Sequence, residues 1–314
     1  MDAGIQIEPQ FGFTYEAIRQ IAIEAEALGF SHLWASDHFF LRPEDPLTDC
    51  LEAWTLLAAL TQATARLRLG TLVTCQSYRP PSLLAKMAAG VDVQSGGRLE
   101  FGIGAGWKEV EYRAYGIPFP PPGVRVAQLV DTLEIVRAMW TQERATYRGR
   151  HYAIENALCA PKPLQRPHPP ILIGALRPRM LRVVARYADA VNFQDFFLSP
   201  AQYGAQLDRL REACAEVGRP YEAIHKTHCT YTIIGRSRAE VDAVIDELAP
   251  RWGGSAEERA ARLRGATIGT PAEVRERIGA YQALGVGQVI FLFPYGRERP
   301  MLHLIGEEVL PHLA

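Results

Sequence analysis

Eight short apolar runs rich in β-branched residues alternate along the chain with segments of helical period, and this limits the fold to a parallel sheet covered by helices. The runs are Ala3–Ile7, His32–Ser36, Arg68–Thr74, Leu99–Gly104, Ile171–Gly174, Ala190–Phe193, Lys226–Thr232 and Gln288–Phe293. Between them, residues such as Val126, Leu129, Val130, Leu133, Val136 and Trp140 recur at a spacing that lays one apolar stripe along a helix. Ser199 to Gln202, Ser237 to Glu240, Ser255 to Glu258 and Thr270 to Glu273 read as capping boxes, with Pro200 and Pro271 at the first helical position. Parallel strands with interleaved helices either close into a barrel or stay open as a doubly wound sheet, and the number of strands favours an α/β fold of the (β/α)8 TIM-barrel type. No linker divides the chain, so residues 1–314 read as a single barrel domain. Its local insertions are a Pro-rich stretch at Pro118–Gly123, a hairpin over Arg144–Ile154 turning at Arg148-Gly149, and a charged segment at Arg251–Gly265.

Composition narrows the function classes. Lys plus Arg number 34 against 35 Asp plus Glu, a net charge of −1, so no basic excess is available for nucleic acid or an anionic membrane. Cys50, Cys75, Cys159, Cys214 and Cys229 are scattered with no C-x-x-C pair, which encodes neither a zinc ribbon nor a redox dithiol and fits a reducing cytoplasm. Met1-Asp2-Ala3-Gly4 lacks a basic n-region, and no apolar run approaches the roughly 20 residues of a membrane span. His225 and His228, three apart on one strand, point to opposite faces, and the first strand ends in Ile-Glu-Pro-Gln without a His-x-His pair; no metal site is expected.

A barrel places catalytic groups where its strands end. After the second strand stands Asp37-His38, a histidine, the residue type suited to proton transfer near neutral pH, beside a carboxylate that can hold its tautomer; the plain alternative is a polar pair closing a strand. After the fourth stands Gly102-Ile-Gly104-Ala-Gly106-Trp107, whose glycines either admit a flat ligand or pack the strand end tightly. After the fifth, Gly174-Ala175-Leu176-Arg177-Pro-Arg179 opens a helix over Met180–Tyr187; it is either a phosphate cradle of free N–H groups and two guanidinium groups, or a solvated Arg pair.

The segments GFSHLWASDHFF (29–40), RLRLGTLVTCQSYRPP (66–81), GGRLEFGIGAGWKEVEYRAYGIPFP (96–120), YRGRHYAIENALCAPKPLQRPHPPILIG (147–174), LRVVARYADAVNF (181–193) and IGTPAEVRERIGAYQALGVGQVIFLF (268–293) follow one another in an order that resembles the luciferase-like monooxygenase superfamily, and within it the oxidoreductases that use the deazaflavin coenzyme F420. The resemblance implies a homodimeric (β/α)8 barrel holding a reduced flavin or deazaflavin at its C-terminal mouth. It implies that Asp37 and His38 line the reactive ring face, and that Leu72-Val73, followed by Thr74, form a non-proline cis peptide behind the ring. Gly104, Gly106 and Trp107 match the fourth-strand loop, and Gly174, Ala175, Leu176, Arg177 and Arg179 the phosphate loop. Trp107 stands where sugar-phosphate dehydrogenase relatives carry a Glu, so that substrate is not carried over.

The expected activity is hydride transfer between the deazaflavin and a small organic substrate, with His38 handling the proton and Asp37 orienting it. The alternatives are an FMN-dependent monooxygenase and a flavin-binding barrel without catalysis. The loops Leu41–Cys50, Glu109–Gly123 and Arg251–Gly265, which should form the substrate pocket, carry no recognisable specificity motif.

Overall fold

A computed structural model describes residues 1–313, apart from the side chain of Arg251; Ala314 lies outside the described residues. Its strands are β1 (Asp2–Ile7), β2 (His32–Ala35), β3 (Arg68–Thr71), β4 (Thr74–Cys75), β5 (Leu99–Gly104), β6 (Ala145–Arg148), β7 (Ala153–Ala157), β8 (Ile171–Ala175), β9 (Ala190–Phe193), β10 (His225–Ile234), β11 (Thr267–Gly269) and β12 (Gln288–Leu292). The ring runs β12-β1-β2-β3-β5-β8-β9-β10 and closes from β10 back to β12, with every pairing parallel. This is the expected (β/α)8 barrel.

The barrel strands follow the sequence pattern because nearly all of their residues are buried, one side meeting the helices and the other the barrel interior. Trp34, Leu72, Leu172, Ala190, Cys229, Ile290 and Leu292 fill that interior, and a larger shell of apolar residues packs between strands and helices. Trp34 needs room on the neighbouring strands. A Cβ on Gly70 would lie 2.7 Å from its ring, and one on Gly102 would lie 1.7 Å from the Thr71 carbonyl oxygen. Gly102→Ala therefore forces the backbone apart, and its urea midpoint should fall by the equivalent of about 1–3 kcal/mol.

The third apolar run is not one strand. The peptide Leu72–Val73 is cis, and it separates β3 from β4. Strand β10 outruns its expected end because β11, too short to show a period of its own, pairs with Thr232–Ile234. The hairpin forms as β6 and β7, antiparallel, and continues to Ala157. The Pro-rich stretch ends in the helix Pro122–Thr141, with Pro at its first turn.

Helix starts largely obey their caps. Ser199 and Ser255 make complete capping boxes. Ser237 accepts the Glu240 N–H, while the Glu240 carboxylate takes the Arg236 N–H instead of completing the box. At Thr270 the Glu273 carboxylate accepts the Thr270 N–H at 2.7 Å. The charged segment carries a helix of its own over Ala256–Gly265.

Candidate active site

The C-terminal ends of the barrel strands converge on a cavity of about 400 Å³. Its wall includes Asp37, His38, Leu72, Val73, Thr74, Gly104, Gly106, Trp107, Leu176 and Arg177, so most of the expected site residues meet in one place. Gly174, Ala175 and Arg179 are not among its lining residues.

Asp37 and His38 part company at once. The buried Asp37 carboxylate accepts from both terminal nitrogens of Arg79, at 2.8 and 2.9 Å, and from the Cys75 N–H at 3.1 Å. Arg79 also bonds Glu52. Asp37 is thus spent on fastening the second strand end to the turn after β4, and it does not orient His38.

That task falls to Glu111, on the short helix Glu109–Ala114. His38 Nδ1 lies 2.9 Å from Glu111 Oε2. The same fully buried carboxylate accepts from the Phe39 N–H at 2.8 Å, the Phe40 N–H at 3.3 Å, Tyr78 Oη at 2.5 Å and Lys108 Nζ at 3.1 Å. Burial alone would raise the Glu111 pKa, but the hydrogen bond and charge of His38, with the bonds from Tyr78 and Phe39, outweigh it and hold it down to about 2. An ionised acceptor at Nδ1 assigns the proton to that nitrogen and leaves Nε2 free. The His38 ring meets Trp107 edge-on at 5.7 Å, and Trp107 is itself 69% exposed.

The glycines here make room for protein rather than for bare backbone. A Cβ on Gly104 would lie 2.8 Å from Val73 Cγ2, one on Gly106 1.9 Å from Tyr112 Oη, and one on Gly174 2.4 Å from Gln194 Nε2. Gly104 lets Val73 seat against β5, which sets the wall behind the cavity. Thr74 lines the wall with its hydroxyl already engaged, 2.7 Å from Thr71 Oγ1 and accepting from Trp54 Nε1 at 3.1 Å.

The two arginines of the expected phosphate loop diverge. Arg177 caps the helix Pro178–Tyr187 and lines the cavity. Arg179 is two residues onward and lines a separate groove between that helix and Pro122–Thr141, together with Arg150, Arg182 and Arg186. One guanidinium, not two, faces the cavity.

Beside this cavity lies a larger one of about 870 Å³, and the two share Gln6, Glu8 and Phe196. Glu8 and Glu111 both escaped the sequence reading. Glu8 follows the first strand, where the same strand-end filter would have selected it. Glu111 lies inside the quoted segment 96–120, yet nothing local marks it, since its partner His38 is 73 residues away. Among the described residues there is no helix long and apolar enough to cross a membrane.

Comparison with known proteins agrees with this architecture. Among curated relatives, a phthiodiolone/phenolphthiodiolone dimycocerosates ketoreductase from Mycobacterium sp. (strain JLS) is 34% identical over 200 residues, 62% of this chain and 51% of its own length, so the chain spans about half of that relative. The fold of the coenzyme F420 dependent tetrahydromethanopterin reductase from Methanopyrus kandleri superposes with a TM-score of 0.84 at 21% identity, covering 100% of this chain and 99% of that one. Monooxygenase RslO1 from Streptomyces bottropensis gives 0.81 at 25% identity, over 100% of both chains. The sequence description of the luciferase-like monooxygenases matches residues 2–288. With that match spanning most of the barrel, the chain belongs to the luciferase-like monooxygenase family.

Proposed function

We propose that the protein is a coenzyme F420-dependent oxidoreductase that moves a hydride to or from a small organic substrate. The observation that carries this reading is His38, on the wall of a cavity that Val73 and Arg177 also line, with Nδ1 held 2.9 Å from the buried Glu111 carboxylate. A cavity of this size suits a flat ring with part of its side chain. The residues present fit such a group: apolar Leu72 and Val73 for the ring, a free imidazole nitrogen beside it, and a helix start with one Arg for a phosphate. When bound, the deazaflavin supplies the hydride chemistry. The chain's own part is to take up and return a proton at the free His38 Nε2, to fix that ring through Glu111, and to keep the wall dry with Leu72 and Val73. Asp37 belongs to the support of this wall rather than to the proton path.

The ketoreductase relative supports carbonyl and alcohol chemistry, and the Methanopyrus kandleri neighbour supports the deazaflavin. The likeness to monooxygenase RslO1 favours FMN as the second reading. Titrating the protein with each cofactor while following fluorescence quenching decides between them: tight binding of coenzyme F420 and weak binding of FMN is expected, and the reverse overturns the proposal. Arg177→Ala should weaken coenzyme binding about tenfold or more, the effect of one lost charge-assisted contact, whereas Arg179→Ala should leave it within about twofold. Equal losses in both variants would return Arg179 to the site. The same proposal has residues 1–314 working as one barrel unit in a cytoplasmic homodimer, which light scattering on the purified protein tests.

A further inference from the structure

The groove that Arg179 enters encloses about 520 Å³ between the helices Pro122–Thr141 and Pro178–Tyr187. Four arginines line it, Arg150, Arg179, Arg182 and Arg186, and no lysine does. Arg179, Arg182 and Arg186 follow one another at steps of three and four residues, so they form one stripe about 10 Å long on a single helix face. Val126, Ala127, Val130 and Val183 stand among them as an apolar floor.

The four charges are only partly answered. Arg182 bonds Glu216 at 2.7 Å, but among the described residues Arg150, Arg179 and Arg186 make no ion pair. The acids nearby are engaged elsewhere. Asp131 lines the groove, yet its carboxylate accepts from Tyr147 Oη at 2.9 Å and from the His151 and Tyr152 N–H groups at 2.6 and 3.1 Å. Glu134 accepts from Tyr187 Oη at 2.8 Å. The Arg179 guanidinium lies against the first turn of Pro122–Thr141, where a Cβ on Gly123 would come 2.7 Å from Nη1, and that turn holds no acidic residue.

The fourth arginine is delivered on purpose-made geometry. Buried Asp131 gathers the turn of the β6–β7 hairpin onto the helix, and a Cβ on Gly149 would lie 2.4 Å from its Cγ, so only glycine lets the turn close that far. Arg150, the next residue, is thereby brought to the groove that the other three line.

We propose that this groove is a second ligand site, for a nucleoside diphosphate or a compound of that chemistry, with the phosphates across the guanidinium groups and the flat body on the valine floor. Guanidinium forks match phosphate oxygens two at a time, which an ammonium group does not. A stripe of about 10 Å outreaches one phosphate and suits a chain of them. The valines give a planar base apolar surface to cover, which a bare phosphate chain would leave wet. The volume suits a molecule of nucleotide size. The groove shares no lining residue with either inner cavity, so its occupant is not a reactant, and the site stands whichever cofactor the barrel takes.

Calorimetry on the full chain without cofactor tests this with ADP, pyrophosphate and adenosine. ADP should bind one to one, pyrophosphate about tenfold more weakly, and adenosine more weakly still. Raising NaCl from about 50 to 500 mM should loosen ADP severalfold. Arg179→Gln and Arg186→Gln, at exposed positions, should each cost about tenfold in affinity with an unchanged melting temperature, and Arg179→Lys should recover only part of the loss. Ala127→Glu, which sets a carboxylate on the floor, should abolish binding. Arg177→Ala should leave ADP affinity within about twofold, because that guanidinium lines the other cavity. No ADP binding at about 1 mM overturns the site. A loss in Arg177→Ala as large as that in Arg179→Gln places ADP in the cofactor cavity and overturns it too. Pyrophosphate as tight as ADP overturns the nucleoside class, and adenosine as tight as ADP overturns the role of the arginines.

Discussion

His38→Ala should lower turnover about 10²-fold or more while coenzyme binding stays within a few fold, the usual signature of a general acid–base group lost from an otherwise intact site. The reason lies in the geometry. His38 is fixed through Nδ1 by a carboxylate whose pKa is held down to about 2, so its other nitrogen is presented in one orientation and one tautomer. Glu111→Gln keeps an acceptor in place but removes the charge, and about a tenfold loss is expected, with a changed pH profile for kcat. The acid stability of the two proteins should also differ. Because the folded pKa of Glu111 lies below its ordinary value of 4.5, its contribution to stability is present above 4.5 and is lost as pH falls from there through about 2. Denaturation midpoints of wild type and Glu111→Gln should converge over that window. Turnover of His38→Ala at the wild-type level would remove the histidine from the mechanism.

A second large effect should appear in stability rather than in rate. The Asp37 side chain is 0% exposed and that of Arg79 8% exposed, so Arg79→Ala strands a carboxylate with little beyond the Cys75 N–H to compensate it. Breaking a buried pair from one side costs about 3–5 kcal/mol, and the urea midpoint should drop accordingly. Asp37→Asn should cost less, because an amide still accepts from Arg79 and Glu52 remains as that arginine's partner. Molecules that stay folded should keep turnover within about tenfold of the wild type. An unchanged midpoint in Arg79→Ala would mean that the pair is solvated in solution and that Asp37 is free for another task.

The contrast between these two variants shows which parts of the site sequence can display. The barrel was readable because each of its strands carries its own pattern: a run such as Ile171–Gly174 is apolar throughout and bounded by turn residues, and it needs no distant partner to be recognised. The same holds for the caps at Ser199 and Ser255. The cis peptide at Leu72–Val73 was legible only through resemblance, since neither residue favours that form, and the structure has it. What sequence could not show was pairing. Asp37 stands beside His38 in the chain, and adjacency made it the natural orienting group; in the fold the strand end sends the two side chains to different partners, Arg79 and Glu111. Arg177 and Arg179 mislead for a similar reason, because the helix that begins between them carries the second away from the cavity.

The five donors gathered by Glu111 come from three separate stretches: the loop after β2, the turn after β4, and the segment leading into the helix Glu109–Ala114. One acid therefore pins three loops of the mouth together, as a keystone sets the stones of an arch. Variation that adapts this barrel to new substrates has to leave the keystone alone and work at its margins, at Arg42, Asp45 and Thr48 and around Trp252, which line the larger cavity without bonding Glu111. Exchanging either margin between relatives should retune substrate preference in a barrel whose His38 does not move.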